Sequence, residues 1–236
     1  MPTPLLCLPF AGAGASFYTS WEEVGPPGVD VRPLLLPGRE RRILDEPYTD
    51  VQQAAEGLLP QALDMLPDGG PIALFGHCLG ALVAHELTRR LVDAAGPQVV
   101  RLFVSGTPVF PRTPPERRAT GITDDGRFLD RVKEFSGYRH EAFEEPEIRD
   151  LLMPALRADV RMHETYRLPD RKPLLVPVTA VRGRDDALAS LDDIRGWAEV
   201  TEGGFEAIEL PGEHMYLATS PAALLELIAL RCADPA

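Results

Sequence analysis

Three side chains that together support nucleophilic catalysis occur in a definite order in this chain of 236 residues. Cys78 is the centre of the sequence Gly-His-Cys-Leu-Gly, Asp186 closes Gly-Arg-Asp-Asp, and His214 follows nearer the C-terminus. A cysteine thiolate is a nucleophile, a histidine can take up its proton, and a carboxylate can hold the imidazole in the required tautomer. The pattern predicts a Cys–His–Asp triad, with Asp185 as the alternative acid.

The residues around Cys78 predict how its thiol is presented. An apolar run that ends at Phe75 predicts a buried strand, and apolar residues at helical spacing from Leu79 onward predict a helix. Gly76 and Gly80 would let the strand and helix backbones pass closely, so the side chain between them would stand above the sheet at the helix N-terminus. That position, beside an imidazolium, lowers a thiol pKa. The alternative is a chance motif, with Cys78 as a small buried hydrophobe.

The segments on either side of this motif alternate between strand and helix patterns. Such alternation predicts a parallel sheet with crossover helices, and the order nucleophile, acid, histidine is that of the α/β-hydrolase fold. We therefore expect one α/β-hydrolase domain over residues 1–236, with a mostly parallel central sheet flanked by helices. The predicted strands are Pro4–Pro9, Val29–Leu36, the run before Cys78, Val99–Ser105, Leu174–Arg182 and Phe205–Leu210.

Residues 110–171 interrupt this alternation. Phe128–Phe135 and Pro146–Tyr166 both have apolar residues at helical spacing. A helical insertion between sheet strands can act as a lid that excludes water and shapes the substrate pocket. We predict a helical lid here, and the alternative is an extra packing layer with no gating role.

Two backbone N–H groups are candidates for stabilising an oxyanion. The first belongs to Leu79, directly after the nucleophile, and the second lies in the loop of small residues that follows the first strand. Phe10 and Ala11 are the candidates in that loop. The alternative is a plain glycine-rich turn. The loop is not a nucleotide site, because Gly12-Ala13-Gly14 lacks the third glycine of a dinucleotide fingerprint and the Lys-Ser/Thr of a phosphate loop.

The four remaining histidines are assigned packing or surface roles. His77 precedes the predicted nucleophile, and His85 lies two helical turns after it. His140 and His163 lie in the predicted insertion. None of the four is needed for the predicted triad.

Composition limits the classes of partner. The net charge of −12 argues against nucleic-acid binding, which needs a basic surface. The three cysteines are widely spaced and indicate neither a disulfide framework nor a metal site. No apolar run approaches the ~20 residues of a membrane span, and no secretory signal pattern is present. We therefore expect a cytoplasmic protein that binds neither metal nor membrane.

An acidic protein partner would need a local basic patch on this acidic chain. Arg39, Arg41 and Arg42 form a basic loop after the second strand. Arginine binds phosphate through paired N–H groups, so this loop is a candidate docking site for a phosphate or an acidic carrier. The alternative is a solvated surface with an internal Arg–Glu pair. A second candidate cluster consists of Arg112, Arg117 and Arg118.

Six motifs spread along the chain occur together in one family. They are Leu-Pro-Phe-Ala-Gly-Ala-Gly at 8–14, Leu-Pro-Gly-Arg-Glu-Arg-Arg at 36–42, Phe-Gly-His-Cys-Leu-Gly-Ala at 75–81, Leu-Leu-Met-Pro-Ala-Leu-Arg-Ala-Asp at 151–159, Gly-Arg-Asp-Asp at 183–186 and Gly-Glu-His-Met-Tyr-Leu at 212–217. With them, the chain resembles the type II thioesterases, the stand-alone editing hydrolases of polyketide and nonribosomal peptide synthases. The motif at 36–42 and the segment at 151–166, which continues to Glu164-Thr165-Tyr166, are specific to that family, whereas the nucleophile motif alone is not.

The resemblance implies a substrate and a partner. Family members hydrolyse an acyl thioester on the phosphopantetheine arm of an acyl- or peptidyl-carrier protein, beneath a helical lid and without a cofactor. In the family the acid is the fourth residue of Gly-x-x-Asp, which matches Asp186.

Two positions depart from the family pattern. Cys78 stands where serine is usual, and Glu213 stands where glycine usually precedes the histidine. Attack by cysteine on a thioester gives another thioester, so the acyl-enzyme stays activated and can pass its acyl group to an amine or hydroxyl as well as to water. The alternatives to a hydrolase are therefore an acyltransferase or cyclase, and a non-catalytic acyl-binding module. The sequence is also compatible with an engineered replacement of serine by cysteine.

Overall fold

The computed structural model describes residues 2–66, 70–94, 96–110, 118–136 and 141–233. Six strands form its sheet: β1 (Thr3–Leu8), β2 (Val29–Pro33), β3 (Ile72–His77), β4 (Val99–Ser105), β5 (Val178–Gly183) and β6 (Phe205–Leu210). Every pairing is parallel, and the strand order is β2-β1-β3-β4-β5-β6. From β1 the chain adds β2 on one side and then crosses back to add β3 on the other side, so the strand order reverses between β1 and β3. In open parallel sheets, ligands bind at such a switch point, outside the carboxyl ends of the strands.

Eight α-helices accompany the sheet in the described part of the chain. They are α1 (Thr19–Val24), α2 (Val51–Asp64), α3 (Leu79–Asp93), α4 (Asp125–Ser136), α5 (Pro146–Thr165), α6 (Leu191–Arg195), α7 (Tyr216–Thr219) and α8 (Pro221–Ala233). Helix α2 runs through Pro60 without a break. Among the described helices, none is both long and apolar enough to cross a membrane.

Two hydrophobic cores lie on opposite faces of the sheet. Leu6 and Leu8 of β1 belong to the core that includes α2 and α3. Leu5 and Cys7 belong to the core that includes α1 and α8. Successive side chains of a strand point to opposite faces, so a strand buried on both sides must be apolar throughout. This explains why the central strand β3 is an uninterrupted buried run rather than an alternating one.

The predicted helical insertion contains α4 and α5, which lie between β4 and β5. Helix α5 is one continuous helix of 20 residues, with Pro154 inside it. The insertion has its own hydrophobic cluster, to which Phe128, Phe143 and Leu156 contribute. Its helices are therefore packed on each other as well as on the sheet domain.

The sequence prediction of the fifth strand is wrong at its beginning. Strand β5 begins at Val178, not at Leu174. Leu174 makes only an isolated bridge to Thr201, and Leu175 is 79% exposed. Pro177 cannot donate a ladder hydrogen bond, although its carbonyl does accept one from Leu102 of β4. The sheet pairing is consequently established only after that proline. The second strand likewise ends at Pro33, earlier than predicted.

Candidate active site

Cys78 occupies a strained turn between β3 and α3. Its backbone has φ 51° and ψ −119°, in the positive-φ region that L residues rarely adopt. A Cβ atom on Gly76 would lie 2.0 Å from the carbonyl oxygen of Gly80. Only glycine fits there, because no real Cβ contact is that short. The predicted sharp turn from strand to helix, called the elbow below, is therefore present, and it places the thiol at the N-terminus of α3.

The same elbow adjoins the carboxyl end of β1. A Cβ atom on Gly80 would lie 2.4 Å from the carbonyl oxygen of Leu8. The loop that follows β1 consequently passes beside Cys78, and Phe10 and Ala11 both line the cavity above the thiol. The next amides of this loop have other partners: Gly12 donates to Asp159, and the N–H of Ala13 donates to the carbonyl of Phe10.

His214 and Asp186 lie together at the carboxyl ends of β6 and β5. His214 Nδ1 is 2.9 Å from Asp186 Oδ2, and both side chains are buried. The other carboxylate oxygen accepts the backbone N–H of Leu188 at 2.8 Å. Asp185, the alternative acid, is exposed. The structure thus brings Asp186 to the imidazole and leaves Nε2 of His214 as the ring nitrogen available to the thiol.

The protonation equilibrium of the site favours a thiolate. Burial raises the pKa of the Cys78 thiol, but interactions with His163 and then with His214 outweigh burial and lower this pKa to about 5. Burial likewise lowers the pKa of His214, but hydrogen bonds to Asp186 and Cys78 outweigh it and raise the value to about 9. Between these two values, a thiolate–imidazolium pair is the stable form of the site.

His163 lies nearer the site than its place in the sequence indicated. It was expected to be a surface or packing histidine, and it packs with its Nε2 3.4 Å from Thr107 Oγ1, while the charge of Cys78 contributes to a raised pKa of its imidazole. Its spacing from Asp159 on α5 is one helical turn, and Asp159 also faces the site. The helical spacing of these two residues was the signal that the sequence offered for a shared face of α5. Where that face lies relative to Cys78 depends on how the insertion packs.

His77 and His85 have the packing roles expected from the sequence. The ring of His77 lies against that of His214, with centroids 4.6 Å apart, and its Nδ1 is 2.9 Å from Ser105 Oγ. Burial, followed by the charge of His214, lowers the pKa of His77. His85 is buried edge-on to Trp197, and burial lowers its pKa to about 3. His140 lies outside the described residues.

A cavity of about 360 Å³ opens above Cys78. Its volume is within the range of small-molecule pockets, roughly 300–1,000 Å³. Cys78, His214 and residues of the loop after β1 line it. The insertion supplies apolar side chains to the same cavity, which are Leu129, Val132, Phe143, Leu152 and Leu156. A mainly apolar chain of atoms could therefore lie between the insertion and the nucleophile.

Arg39 does not have the position that a docking residue needs. Its side chain is 6% exposed, and both terminal nitrogens donate to the Asp159 carboxylate at 2.8 Å. The predicted docking role of Arg39 is therefore wrong, because a buried and paired guanidinium cannot meet a partner. Arg41 is exposed, and Arg42 is half-buried and paired with Asp45. Of the second cluster, Arg112 and Arg117 lie outside the described residues and Arg118 is exposed.

The described residues contain no group of three or more His, Cys, Asp or Glu side chains that could hold a metal ion. What the site does contain is a cysteine on a sharp strand-to-helix turn, an imidazole after the last strand and a carboxylate after the strand beside it. On a six-stranded parallel sheet, these features define an α/β-hydrolase.

Comparison with known proteins identifies the family of α/β-hydrolases to which the chain belongs. A family model described as a thioesterase domain matches residues 3–232, and the chain belongs to that family. It is similar to the gramicidin S biosynthesis protein GrsT of Aneurinibacillus migulanus, with 30% identity over 224 residues that cover 95% of this chain and 86% of GrsT. It is also similar to the thioesterase PikA5 of Streptomyces venezuelae, with 34% identity over 213 residues, 90% of this chain and 75% of PikA5.

Solved structures give the same result. The structure of RedJ, a thioesterase from the prodiginine biosynthetic pathway in Streptomyces coelicolor, matches with a TM-score of 0.85 and 30% identity. The match covers 97% of this chain and 90% of RedJ. The likeness therefore extends over the whole sheet domain and the region of the insertion.

Proposed function

We propose that this protein is a stand-alone thioesterase that releases acyl groups from the phosphopantetheine arms of carrier proteins in polyketide or nonribosomal peptide biosynthesis. The observation that carries the proposal is the apolar cavity lined by Cys78 and His214, with Asp186 hydrogen-bonded to Nδ1 of His214. A gramicidin S biosynthesis protein and a thioesterase of the prodiginine pathway support a biosynthetic role, and the thioesterase PikA5 supports the activity.

In the first proposed step, Cys78 attacks the thioester carbonyl. The new carbon–sulfur bond forms on Cys78 as the carbon–sulfur bond to phosphopantetheine breaks. His214, protonated at Nε2, gives its proton to the departing pantetheine thiolate. Asp186 keeps the imidazole oriented through Nδ1. The N–H of Leu79, with that of Phe10 or Ala11, is proposed to stabilise the oxyanion.

In the second step, water releases the acyl group as a free acid. Neutral His214 takes a proton from water, and the oxygen attacks the acyl-enzyme carbonyl. The bond to Cys78 then breaks, and the thiolate is restored. The insertion, residues 110–171, is proposed to act as a lid that limits solvent access to the acyl chain during these steps. The reaction is proposed to occur in the cytoplasm, where Cys78 remains a free thiol.

Docking of the carrier protein is proposed to involve the exposed part of the basic loop. Arg41 is its exposed member, and Arg42 lies next to it. The chain as a whole has a net charge of −12, so an acidic carrier needs such a local patch to approach. Arg41→Glu is expected to raise KM for a carrier-bound acyl group and to leave KM for a small acyl thioester unchanged. Arg195→Glu, which reverses an exposed charge on α6, is the control.

The test of the proposed reaction is release of free acid from acyl-loaded carrier protein, measured by liquid chromatography for wild type and Cys78→Ala. Multiple turnovers in wild type, abolished in the alanine variant, are the expected result. An added amine or alcohol should not replace the free acid as product. Acceptor-dependent release without hydrolysis would contradict the proposal and identify an acyltransferase. Absence of turnover with acyl chains of every length would indicate a non-catalytic acyl-binding module.

A further inference from the structure

Ser105, the last residue of β4, lies between the turn that carries Cys78 and the segment that carries His214. Its carbonyl accepts the backbone N–H of Cys78 at 2.8 Å. Its hydroxyl oxygen is 2.9 Å from Nδ1 of His77 and 2.8 Å from the hydroxyl of Tyr216. Tyr216 follows His214 by two residues and begins α7. One serine therefore contacts both segments that supply the thiol and the imidazole.

The series His77–Ser105–Tyr216, called the polar clamp below, is shielded from solvent. Ser105 and Tyr216 are each 1% exposed, and His77 is fully buried. A hydrogen bond between buried groups is stronger than the same bond in water, and a buried polar group that loses its partner is costly. The segments that the clamp joins are therefore firmly held together.

The direction of the hydrogen bonds in the clamp follows from the protons that are present. Ser105 has one hydroxyl proton, so it donates to His77 or to Tyr216 but not to both. Among the described residues, the Tyr216 hydroxyl has one hydrogen-bond partner, Ser105, so Tyr216 donates to Ser105 and Ser105 donates to Nδ1 of His77. This direction leaves Nε2 of His77 without a partner in the described part of the chain, and the opposite direction would leave the phenol proton unused as well.

The His77 end of the clamp contacts the imidazole of His214. The two rings have centroids 4.6 Å apart, with planes tilted by 49°. Both pack against Gly106, where a Cβ atom would lie 2.4 Å from Cε1 of His77 and 3.1 Å from Cε1 of His214. Gly106 also has φ 65°, which glycine adopts without strain. The clamp consequently fixes the ring on which one face of His214 rests.

We propose that Ser105 and Tyr216 are positioning residues, which hold the imidazole of His214 at the distance and angle that proton exchange with Cys78 requires. The inference rests on the proposed thioesterase function and deepens it. Asp186 fixes Nδ1 of His214, but a single hydrogen bond leaves the ring and its loop free to pivot. The clamp supplies the second constraint, because it ties Tyr216 to the residue that also holds the N–H of Cys78. A misplacement of about 1 Å can cost about 10²-fold in rate, so the clamp affects kcat rather than substrate binding.

The test uses Tyr216→Phe, Ser105→Ala and their combination in the full-length protein. The readout is the rate of Cys78 alkylation by iodoacetamide as a function of pH, followed by intact mass and peptide mapping. The thiol pKa is about 5 in wild type, and a rise to about 7 lowers the thiolate fraction at pH 6 about tenfold. We expect Tyr216→Phe to slow alkylation by about that factor at pH 6 and to match wild type above about pH 9. The combination should be no slower than the slower single variant, because both changes break the same link.

A shift in this profile reports a change of position, because none of the three variants changes a charge. The ionisable groups around the thiol are His77, His214 with Asp186 behind it, His163 on α5, and Arg39 and Glu40 of the basic loop. Burial lowers the pKa of His77 and keeps it neutral. A displaced His214 imidazolium stabilises the thiolate less than one in place.

Tyr166→Phe is the matched control. It removes another buried tyrosine hydroxyl, which donates to Glu86 on α3 at 3.0 Å and has no part in the clamp. It should leave the alkylation profile unchanged. In steady-state assays, Tyr216→Phe should lower kcat by about 10–10²-fold with KM changed by less than about twofold, whereas Tyr166→Phe should change neither. Thermal unfolding shows which variants are folded, and Tyr216→Phe, which keeps the aromatic ring, carries the test if Ser105→Ala does not fold.

An unchanged alkylation profile in folded Tyr216→Phe would overturn the proposal. An equal slowing in Tyr166→Phe would do the same, since a merely structural loss would then explain both, and so would losses that multiply in the combination. Alkylation needs no acyl thioester. A protein that hydrolyses no thioester can therefore still show the shifted profile, and a thioesterase can lack it, so failure of this inference is distinguishable from failure of the proposed function.

Discussion

Asp159→Asn tests whether the insertion holds the loop that carries the oxyanion candidates. The Asp159 side chain is fully buried on α5, and it accepts two hydrogen bonds from Arg39 and one from the N–H of Gly12, each at 2.8 Å. Arg39 also donates to the carbonyl of Ala13. One carboxylate therefore joins the insertion to both the loop after β1 and the basic loop after β2.

The expected cost follows from these contacts. Asparagine is neutral and directs an NH₂ group toward the guanidinium, so Arg39 would be left as a buried charge without its counter-ion. Removing one partner of a buried pair costs about 3–5 kcal/mol. We expect Asp159→Asn to lose that much unfolding free energy. We also expect kcat to fall by about 10²–10³ if displacement of the loop removes an oxyanion donor.

The assay is urea unfolding, with steady-state turnover, of Asp159→Asn and of a double-mutant cycle made of Arg39→Met, Asp159→Leu and their combination. The combination removes both charges, so it should lose less unfolding free energy than the sum of the losses in Arg39→Met and Asp159→Leu. Asp192→Asn, which breaks an exposed pair with Arg195, should change stability by only about 0–1 kcal/mol. A loss below about 1 kcal/mol for Asp159→Asn would refute the reasoning, and so would additive losses in the cycle.

Three further predictions concern the elbow and the triad. Gly76→Ala should prevent folding or lower the melting temperature far more than Gly70→Ala, because the first Cβ would lie 2.0 Å from a carbonyl oxygen and the second meets nothing within 4 Å. Iodoacetamide at pH 6.5 should modify Cys78 alone, because burial raises the pKa of the other two cysteines whereas that of Cys78 is about 5; modification of all three at equal rates would contradict this. Asp186→Asn should lower kcat about 10⁴-fold, as expected when an imidazole is held in the wrong tautomer, while Asp185→Asn should retain most activity. Equal losses of kcat in the two variants would show that the assignment of Asp186 as the acid is wrong.

The sequence allowed the sheet and the elbow to be predicted because both depend on local rules. Gly76 is required by a contact with Gly80, only a few residues away, so the local spacing carries the geometry of the turn itself. The order of cysteine, acid and histidine reflects the order of strands along the chain. The need for glycine at position 80 has a long-range cause, because a Cβ atom there would meet the carbonyl oxygen of Leu8.

The residues whose surroundings the sequence did not indicate depend on packing across long sequence separations. Arg39 meets Asp159, and His163 meets Thr107, only because α5 lies over the carboxyl ends of the strands. In sequence, Arg39 is one of several arginines in a polar loop, and nothing local distinguishes it from the exposed Arg41. Burial of a charged pair becomes visible only once the insertion is placed on the sheet domain.

The most direct test of the account is intact-protein mass spectrometry after mixing with acyl-loaded carrier protein, time-resolved from milliseconds to minutes. We predict an acyl adduct on Cys78 that forms first and then clears as free acid appears, with no adduct in Cys78→Ala. An adduct on another residue, or free acid released at the wild-type rate by Cys78→Ala, would contradict the claim that Cys78 is the nucleophile of this thioesterase.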